Sequence, residues 1–256
     1  MSLTALCTAL PIILILRYFY TRDLHREPRA VLVRTFVFGV LTTLPAILIG
    51  IVLTAVEPGS PSITSAALYR AFLIAAIPEE ALKLLVILSY SARRRCFDEP
   101  MDGLVYGITA ALGLAALENA IYVLSGGWVT ALLRAFTVVP MHAASGAILG
   151  NAVAQAQFGP SKQGVIGNGF LNAVVVHGLC GLGLTAIVLL AEQPDAPRGD
   201  NRLAVILGLL VLVAIVLIGA VIWTLRIARR LLSQQLAKDY VLGTAKSGDR
   251  SAMKRH

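Results

Sequence analysis

The sequence predicts an all-α, polytopic integral membrane protein with about seven transmembrane helices and a polar site inside the helix bundle. Of the 256 residues, 57% are hydrophobic and only 14% are charged, whereas soluble domains carry about 25% charged residues. Apolar runs of about 20 residues, the length that crosses a bilayer as a helix, recur seven times along the chain. Several of these runs contain ionisable residues, which in a membrane helix indicate a polar interior.

The seven predicted spans follow one another with short connections. Pro11 interrupts the first span and Pro140 the fifth, which membrane helices tolerate when neighbouring groups satisfy the freed carbonyl. Together the spans predict one membrane domain over residues 1–232 and a polar cytoplasmic tail over residues 233–256. The spans cover residues 2–20, 35–56, 66–91, 102–124, 128–154, 164–191 and 203–226.

Lys and Arg residues in the loops predict the orientation of the spans. Arginines fill the loop after the first span, three more follow the third at 93–95, and eight Lys or Arg residues lie from Arg226 onward. The connections on the other side hold none at 57–65 and 125–127, and two arginines against three acids at 192–202. We therefore expect the N-terminus outside and the C-terminus in the cytoplasm. The net charge of +8 then indicates anionic lipid as a partner rather than nucleic acid.

Ionisable side chains inside the apolar runs predict the polar site. An ionised residue at the centre of a membrane helix costs about 2.5–3.5 kcal/mol, so these groups are expected to face one another or a wet cavity. Counted along the spans, Glu79, His142 and His177 come out near the midplane of the membrane. Lys83 lies three and four residues after the paired glutamates and can bond to Glu79 or to Glu80.

These residue types suit two ways of hydrolysing an amide bond. In the first, a zinc ion is bound by Glu118, His142 and His177. Either Glu79 or Glu80 is then the base that activates water. In the second, no metal is present, a glutamate in the apolar site activates water directly, and a histidine stabilises the developing oxyanion.

Other polar residues are expected to support the site or the helix packing. Lys83 is predicted to stabilise the glutamates electrostatically, and Arg134 to form an ion pair with Glu118, which by itself would also serve as an interhelical clamp. Asn119 either orders Glu118 or bonds a neighbouring helix. Asp102 is predicted to be the N-cap of the fourth span. Three glycines of that span predict close helix packing, and they are Gly103, Gly107 and Gly113.

Four motifs resemble those of the PrsW-family intramembrane proteases, relatives of the CAAX prenyl endopeptidases and the bacteriocin-immunity Abi proteins. They are "PEEALK" at 78–83, "DGLVYGITAALGLAALEN" at 102–119, "PMHAASGAILG" at 140–150 and "VVHGL" at 175–179. The resemblance implies that residues 1–232 form a protease domain. It also implies a set of catalytic residues, namely Glu79, Glu80, Glu118, His142 and His177.

The resemblance further implies a substrate class and a location. Such enzymes make site-1 cleavages in single-span membrane proteins, for example anti-sigma factors, and so release a stress response. They are commonly labelled metalloproteases, whereas a metal-free glutamate mechanism is argued for their CAAX relatives. The expected location is the bacterial cytoplasmic membrane.

Two other function classes also use buried ionisable groups. A proton-coupled transporter builds proton relays from Glu, Lys and His, and a non-proteolytic immunity or scaffold protein of the same superfamily would keep the site as a relic. Transporters often contain inverted repeats, and the sequence has no visible internal repeat. An intramembrane peptidase is therefore the favoured interpretation.

Overall fold

The computed structural model describes residues 3–59, 62–160, 162–192 and 200–253, which are helical almost throughout. A π-helical segment, Tyr69–Ala76, joins α3 to α4, and a short 3-10 turn, Ser91–Arg93, follows α4. The described ranges contain no strand, so the predicted all-α class is confirmed. The α-helices are α1 Leu3–Arg22, α2 Arg29–Ala55, α3 Ile63–Leu68, α4 Ile77–Ser89, α5 Pro100–Phe136, α6 Val138–Phe158, α7 Val165–Glu192 and α8 Asp200–Met253.

The described residues include four helical stretches that are long and apolar enough to cross a membrane. Large apolar side chains on α2 face outward, with Leu48, Ile51 and Val52 exposed by 64%, 60% and 62%. Such an unpartnered apolar surface is what a helix presents to lipid. The protein is therefore an integral membrane protein, while the count of seven spans and their orientation stay predictions. The four stretches are Arg29–Ala55, Pro100–Phe158, Val165–Glu192 and Arg202–Val241.

The helices α5 and α6 form the centre of the fold and pack antiparallel. Gly127, inside α5, has φ 66° and ψ −160°, a left-handed conformation that glycine adopts without a steric penalty. The chain reverses there, since Gly103 packs on Gly150 and Gly107 on Gly146, in pairs that are symmetric about the glycine turn. A Cβ atom at any of these four positions would overlap the opposing helix, so their missing side chains permit the close approach.

The predicted close packing of the three α5 glycines is confirmed. Gly113 meets Gly39 of α2, where a Cβ atom on either residue would overlap the other helix's backbone. Around these contacts, residues 101–115 of α5 and most of 138–154 of α6 are buried. A helix that is buried on every face is a rigid support, and both helices carry predicted site residues.

The π-helical segment has a local cause at its C-terminal end. Pro78 has no N–H, and its ring crowds the carbonyl of Ile74 one turn earlier. The helix widens instead, and the N–H of Ile77 donates to the Phe72 carbonyl, five residues back. Segments of this kind are rare and frequently occur at functional sites. Here the segment leads directly into the paired glutamates of α4.

The helix α5 begins with a capping box, and the prediction that Asp102 is its N-cap is wrong. Glu99 is the N-cap, and Asp102 is the third helical residue. Its Oδ2 accepts the backbone N–H groups of Asp98 and Glu99, both at 2.8 Å. The helix starts earlier than predicted because Pro100 occupies its first position, where the fixed φ of proline favours a helix and its missing N–H is not needed.

The helix α8 continues past residue 232, where the sequence predicts a domain boundary. The residues that follow are mostly polar, but many of them are strong helix formers. Gln235 lies three residues beyond that boundary and is buried against Asp23 and Glu99. The predicted division into domain and tail stays a prediction. Most of the predicted loop at 192–202 and the last three residues of the tail lie outside the described residues.

Candidate active site

Helices α4 to α7 bring the predicted ionisable residues together in one buried cluster, here called the glutamate–histidine cluster. Helix α4 contributes Glu79, Glu80 and Lys83, α5 contributes Glu118, Asn119 and Arg134, α6 contributes His142 and α7 contributes His177. Burial is most complete at Glu80 and Lys83, which are 0% exposed, and at His142, which is 1% exposed.

Lys83 lies at the centre of the cluster. Its Nζ donates to Glu80 Oε1 at 2.6 Å and lies 2.7 Å from His142 Nδ1 and 3.4 Å from Ser145 Oγ. The sequence leaves the partner of Lys83 open between the paired glutamates, and the structure pairs it with Glu80. Ser145 is missing from the predicted set, although its hydroxyl lies one helical turn after His142, on the same helix face.

The partner of His177 indicates which ring nitrogen carries the hydrogen. Its Nδ1 lies 2.7 Å from Glu80 Oε1. A carboxylate only accepts hydrogen bonds, so Nδ1 is the donor and a neutral ring has its lone pair on Nε2. That Nε2 lies 3.9 Å from Glu79 Oε2.

The same reasoning applies to His142, with the two nitrogens exchanged. Its Nε2 lies 3.0 Å from Glu118 Oε2 and is therefore the donor, which leaves the lone pair on Nδ1. Nδ1 accepts from Lys83 and lies 4.0 Å from Glu79 Oε2. The rings of His142 and His177 meet edge to face, with centroids 5.1 Å apart.

Glu79 is the carboxylate without a partner. Its Oε2 is buried and has no hydrogen bond among the described residues. Glu80 is paired with Lys83 and Glu118 with Arg134, whereas no Lys or Arg of the described ranges pairs with Glu79. The oxygen thus faces the free lone pair of His177 Nε2 and a His142 Nδ1 that already accepts from Lys83, an unfavourable arrangement unless a cation or a proton enters.

Glu79, His142 and His177 form a possible ligand group. One donor atom of each lies within 4.8 Å of the others. The sequence-based set has Glu118 where this group has Glu79. Span depth cannot separate the two glutamates, because it does not say which way each side chain points around its helix. In the structure, both oxygens of Glu118 already have partners, because Oε2 accepts from His142 and Oε1 pairs with Arg134.

Arg134 lies at the solvent-accessible edge of the cluster, where it pairs with Glu118. Its Nη2 lies 2.8 Å from Glu118 Oε1, close enough for an ion pair although not aligned as a hydrogen bond. Its Nε donates to Asn119 Oδ1 at 2.6 Å, and its guanidinium lies 4.1 Å from the ring centroid of Tyr122. The structure therefore contains the predicted pair of Arg134 with Glu118. Asn119 acts through Arg134, and Tyr122 was missed although it lies one turn after Glu118.

Comparisons with known proteins identify the family of the chain. The family described as "PrsW family intramembrane metalloprotease" matches residues 27–220, which include the whole cluster. Protease PrsW of Geobacillus kaustophilus is 36% identical over 171 residues, 66% of this chain and 74% of that protein. Protease PrsW of Bacillus subtilis is 35% identical over 153 residues, 59% and 68% of the two chains. Protease PrsW of Clostridioides difficile is 26% identical over 162 residues, 61% and 67%.

No solved structure matches the fold. The family match covers well over half of the chain, and the relatives are proteases by name. The chain belongs to the PrsW family of intramembrane metalloproteases and is a membrane-embedded peptidase.

Proposed function

We propose that the protein hydrolyses peptide bonds in membrane-protein substrates at the glutamate–histidine cluster. The observation that carries the proposal is the unpaired Oε2 of Glu79, which lies 3.9 Å from the free His177 Nε2 and 4.0 Å from His142 Nδ1. The catalytic residues in this proposal are Glu79, Glu80, Glu118, His142 and His177, with Lys83, Asn119 and Arg134 in support.

The three facing atoms fit a zinc ion once Lys83 Nζ releases His142 Nδ1 and keeps its contacts with Glu80 and Ser145. Imidazole nitrogen and carboxylate oxygen are common zinc ligands, and Glu79, His142 and His177 would hold the ion. The second nitrogen of each histidine is already fixed by a carboxylate, Glu118 for one and Glu80 for the other, as is usual for ligating histidines. When bound, zinc supplies a Lewis acid to the scissile carbonyl. In this arrangement Glu118 orients the metal ligand His142 and does not itself bind the ion.

The remaining carboxylate suits the proton transfers. Glu80 Oε2 is the second buried oxygen of the cluster without a hydrogen-bond partner, and Lys83 holds the other oxygen of the same group. Glu80 Oε2 accepts the proton of the attacking water as the new C–O bond forms. It returns that proton to the amide nitrogen as the C–N bond breaks. In a metal-free reaction, Glu79 Oε2 takes this role, because without an ion it is the unpaired carboxylate oxygen beside both histidines.

The finer topology is also part of the proposal. Seven helical rods agree with seven spans when α3, the π-helical segment and α4 count as one rod and the part of α5 after Gly127 counts as one rod with α6. The loop charges then orient the N-terminus outside and the C-terminus in the cytoplasm of a bacterial cell, with anionic lipid at the inner face. The substrate class is a single-span membrane protein such as an anti-sigma factor, and the wider relationship is to the CAAX and Abi proteins.

Cleavage of a single-span reporter in proteoliposomes tests the function. Wild type is expected to release a product, and Glu80→Gln to lose at least about 100-fold in rate, the usual size of one acid–base contribution. Glu192→Gln, an exposed glutamate at the end of α7, is the matched control and should cleave normally. Loss of cleavage on chelation, restored by zinc, would support the metal variant, and retained cleavage the metal-free one. Proton flux with no cleaved product would contradict the proposal and favour a transporter.

A further inference from the structure

A second buried carboxylate cluster lies near the start of α5, and we call it the carboxylate triad. Asp23 and Glu27 lie in the loop between α1 and α2, and Asp102 lies in the first turn of α5. One oxygen from each lies within 4.8 Å of the others. The three residues are only 2%, 3% and 0% exposed.

Within the described part of the chain, two oxygens of the triad have no hydrogen-bond partner. Asp23 Oδ1 accepts from Gln235 Nε2 at 2.8 Å and from the His25 backbone N–H at 3.1 Å, but Oδ2 has no partner. Asp102 Oδ2 caps the helix, and its Oδ1 is likewise unpaired and buried. Asp23 and Asp102 are thus each more than nine-tenths buried, and one carboxylate oxygen of each makes no hydrogen bond to the described residues.

The triad also has no positive partner. Within the described ranges, no Lys or Arg forms an ion pair with any of its members. The recorded side-chain donors to the triad are neutral, with Tyr106 O–H donating to Glu27 Oε2 and Gln235 to Asp23. Three carboxylates in contact repel one another strongly when they are removed from water, so something positive must balance them.

We propose that Asp23, Glu27 and Asp102 bind a divalent, oxygen-preferring cation, Ca²⁺ or Mg²⁺. Ca²⁺ binds oxygen at 2.3–2.6 Å, so ligands on opposite sides of one ion lie about 4.6–5.2 Å apart. The three oxygens lie within 4.8 Å of one another, close enough to share one Ca²⁺ or Mg²⁺ ion. A purely carboxylate donor set selects hard cations, whereas imidazole suits zinc, so this site differs in kind from the glutamate–histidine cluster.

The ion is structural, because the triad is remote from the proposed catalytic residues. Asp102 and Glu118 are sixteen residues apart on α5, about 24 Å at 1.5 Å per residue. The ion ties the first loop to the start of α5. Gln235 of α8 extends the same junction, since its amide bonds both Asp23 and Glu99.

Cation binding is measured on the full-length, detergent-solubilised Glu79→Gln variant, in which the other candidate ion site has lost its carboxylate. After removal of metals with a chelator, Ca²⁺ and Mg²⁺ are titrated while Tm is followed, and bound Mn²⁺ is counted by EPR as a hard-cation probe. We expect one Mn²⁺ per chain and a rise of Tm that saturates with Ca²⁺ or Mg²⁺, since an ion that binds only the folded state stabilises it.

Asp102→Asn, added to the same background, tests the residue assignment. Asparagine keeps an oxygen for the helix cap but removes the charge, so cation affinity should fall at least about tenfold. Asp98→Asn, an exposed aspartate in the same turn, is the matched control and should bind normally. If Asp102→Asn does not fold, the titration of the parent variant decides alone. Absence of binding and of any Tm rise, or an unchanged affinity in Asp102→Asn, would overturn the proposal and leave protons shared among the carboxylates.

Discussion

The two buried clusters that contain residues of α5 differ in how the negative charge of their carboxylates is balanced. In the glutamate–histidine cluster, Lys83 and Arg134 each pair with one glutamate, and two imidazoles contact the same groups. In the carboxylate triad, the side-chain donors among the described residues are neutral and include the Gln235 amide, the Tyr106 phenol and the Cys96 thiol. Internal cations keep the first cluster charged and hydrogen-bonded while Glu79 stays free. Among the described residues, no Lys or Arg pairs with the triad, so in our proposal an ion from outside the chain balances its charge.

The largest effect is expected when the first cluster loses its central cation. Lys83→Met leaves Glu80 buried without its ammonium partner, which lowers the free energy of unfolding by about 3–5 kcal/mol. Tm in detergent measures the change. Lys162→Met, at an exposed lysine between α6 and α7, is the control. A Tm equal to that of wild type would mean that Lys83 does not balance the cluster.

The contact that separates the two clusters along α5 should give the next largest effect. Gly107→Ala places a Cβ atom against the Gly146 carbonyl, and such overpacking costs about 1–3 kcal/mol. Tm should fall accordingly. Gly219→Ala on α8 has open space around its Cβ atom and should leave Tm unchanged. Equal effects of the two substitutions would contradict the close α5–α6 packing.

The outer clamp of the first cluster should affect catalysis more than stability, because Arg134 and Glu118 are partly exposed. Arg134→Leu frees Glu118 and, through it, His142, so kcat/KM should fall about 10–100-fold, as when a group that orients a ligand is lost. Arg134→Lys keeps the charge but loses the Nε contact with Asn119, and should recover part of the rate. If both variants are equally slow, charge is not what the clamp supplies.

The smallest effect is expected from a neutral donor of the triad. Gln235→Ala removes the amide that bonds Asp23 and Glu99, which should lower the free energy of unfolding by about 1 kcal/mol. Gln234→Ala, the exposed neighbour on α8, is the control for the loss of a glutamine side chain. If Gln235→Ala lowers the free energy of unfolding by more than Lys83→Met does, the triad and not the glutamate–histidine cluster is the more sensitive to loss of a partner.

The all-α class and the membrane-spanning character were predictable from the sequence because the length of an apolar run is a local signal. The packing at Gly103, Gly107 and Gly113 was predictable from the glycines of that span. Which glutamate lies unpaired beside both histidines was not predictable, because it depends on tertiary contacts. Only the folded chain pairs Glu118 with Arg134 and leaves Glu79 Oε2 near His142 and His177. The triad was missed for a related reason. Asp23 and Glu27 are ordinary loop residues in the sequence, and only the tertiary fold buries them beside Asp102.

The central claim is that Glu79, and not Glu118, is the carboxylate that reacts or binds metal together with the two histidines. The most direct test compares kcat/KM of Glu79→Gln and Glu118→Gln on one reporter, with Tm confirming that both are folded. We predict that Glu79→Gln has no detectable cleavage, while Glu118→Gln keeps a measurable fraction, since glutamine can still hold His142. Cleavage by Glu79→Gln at a rate equal to or above that of Glu118→Gln would contradict the claim.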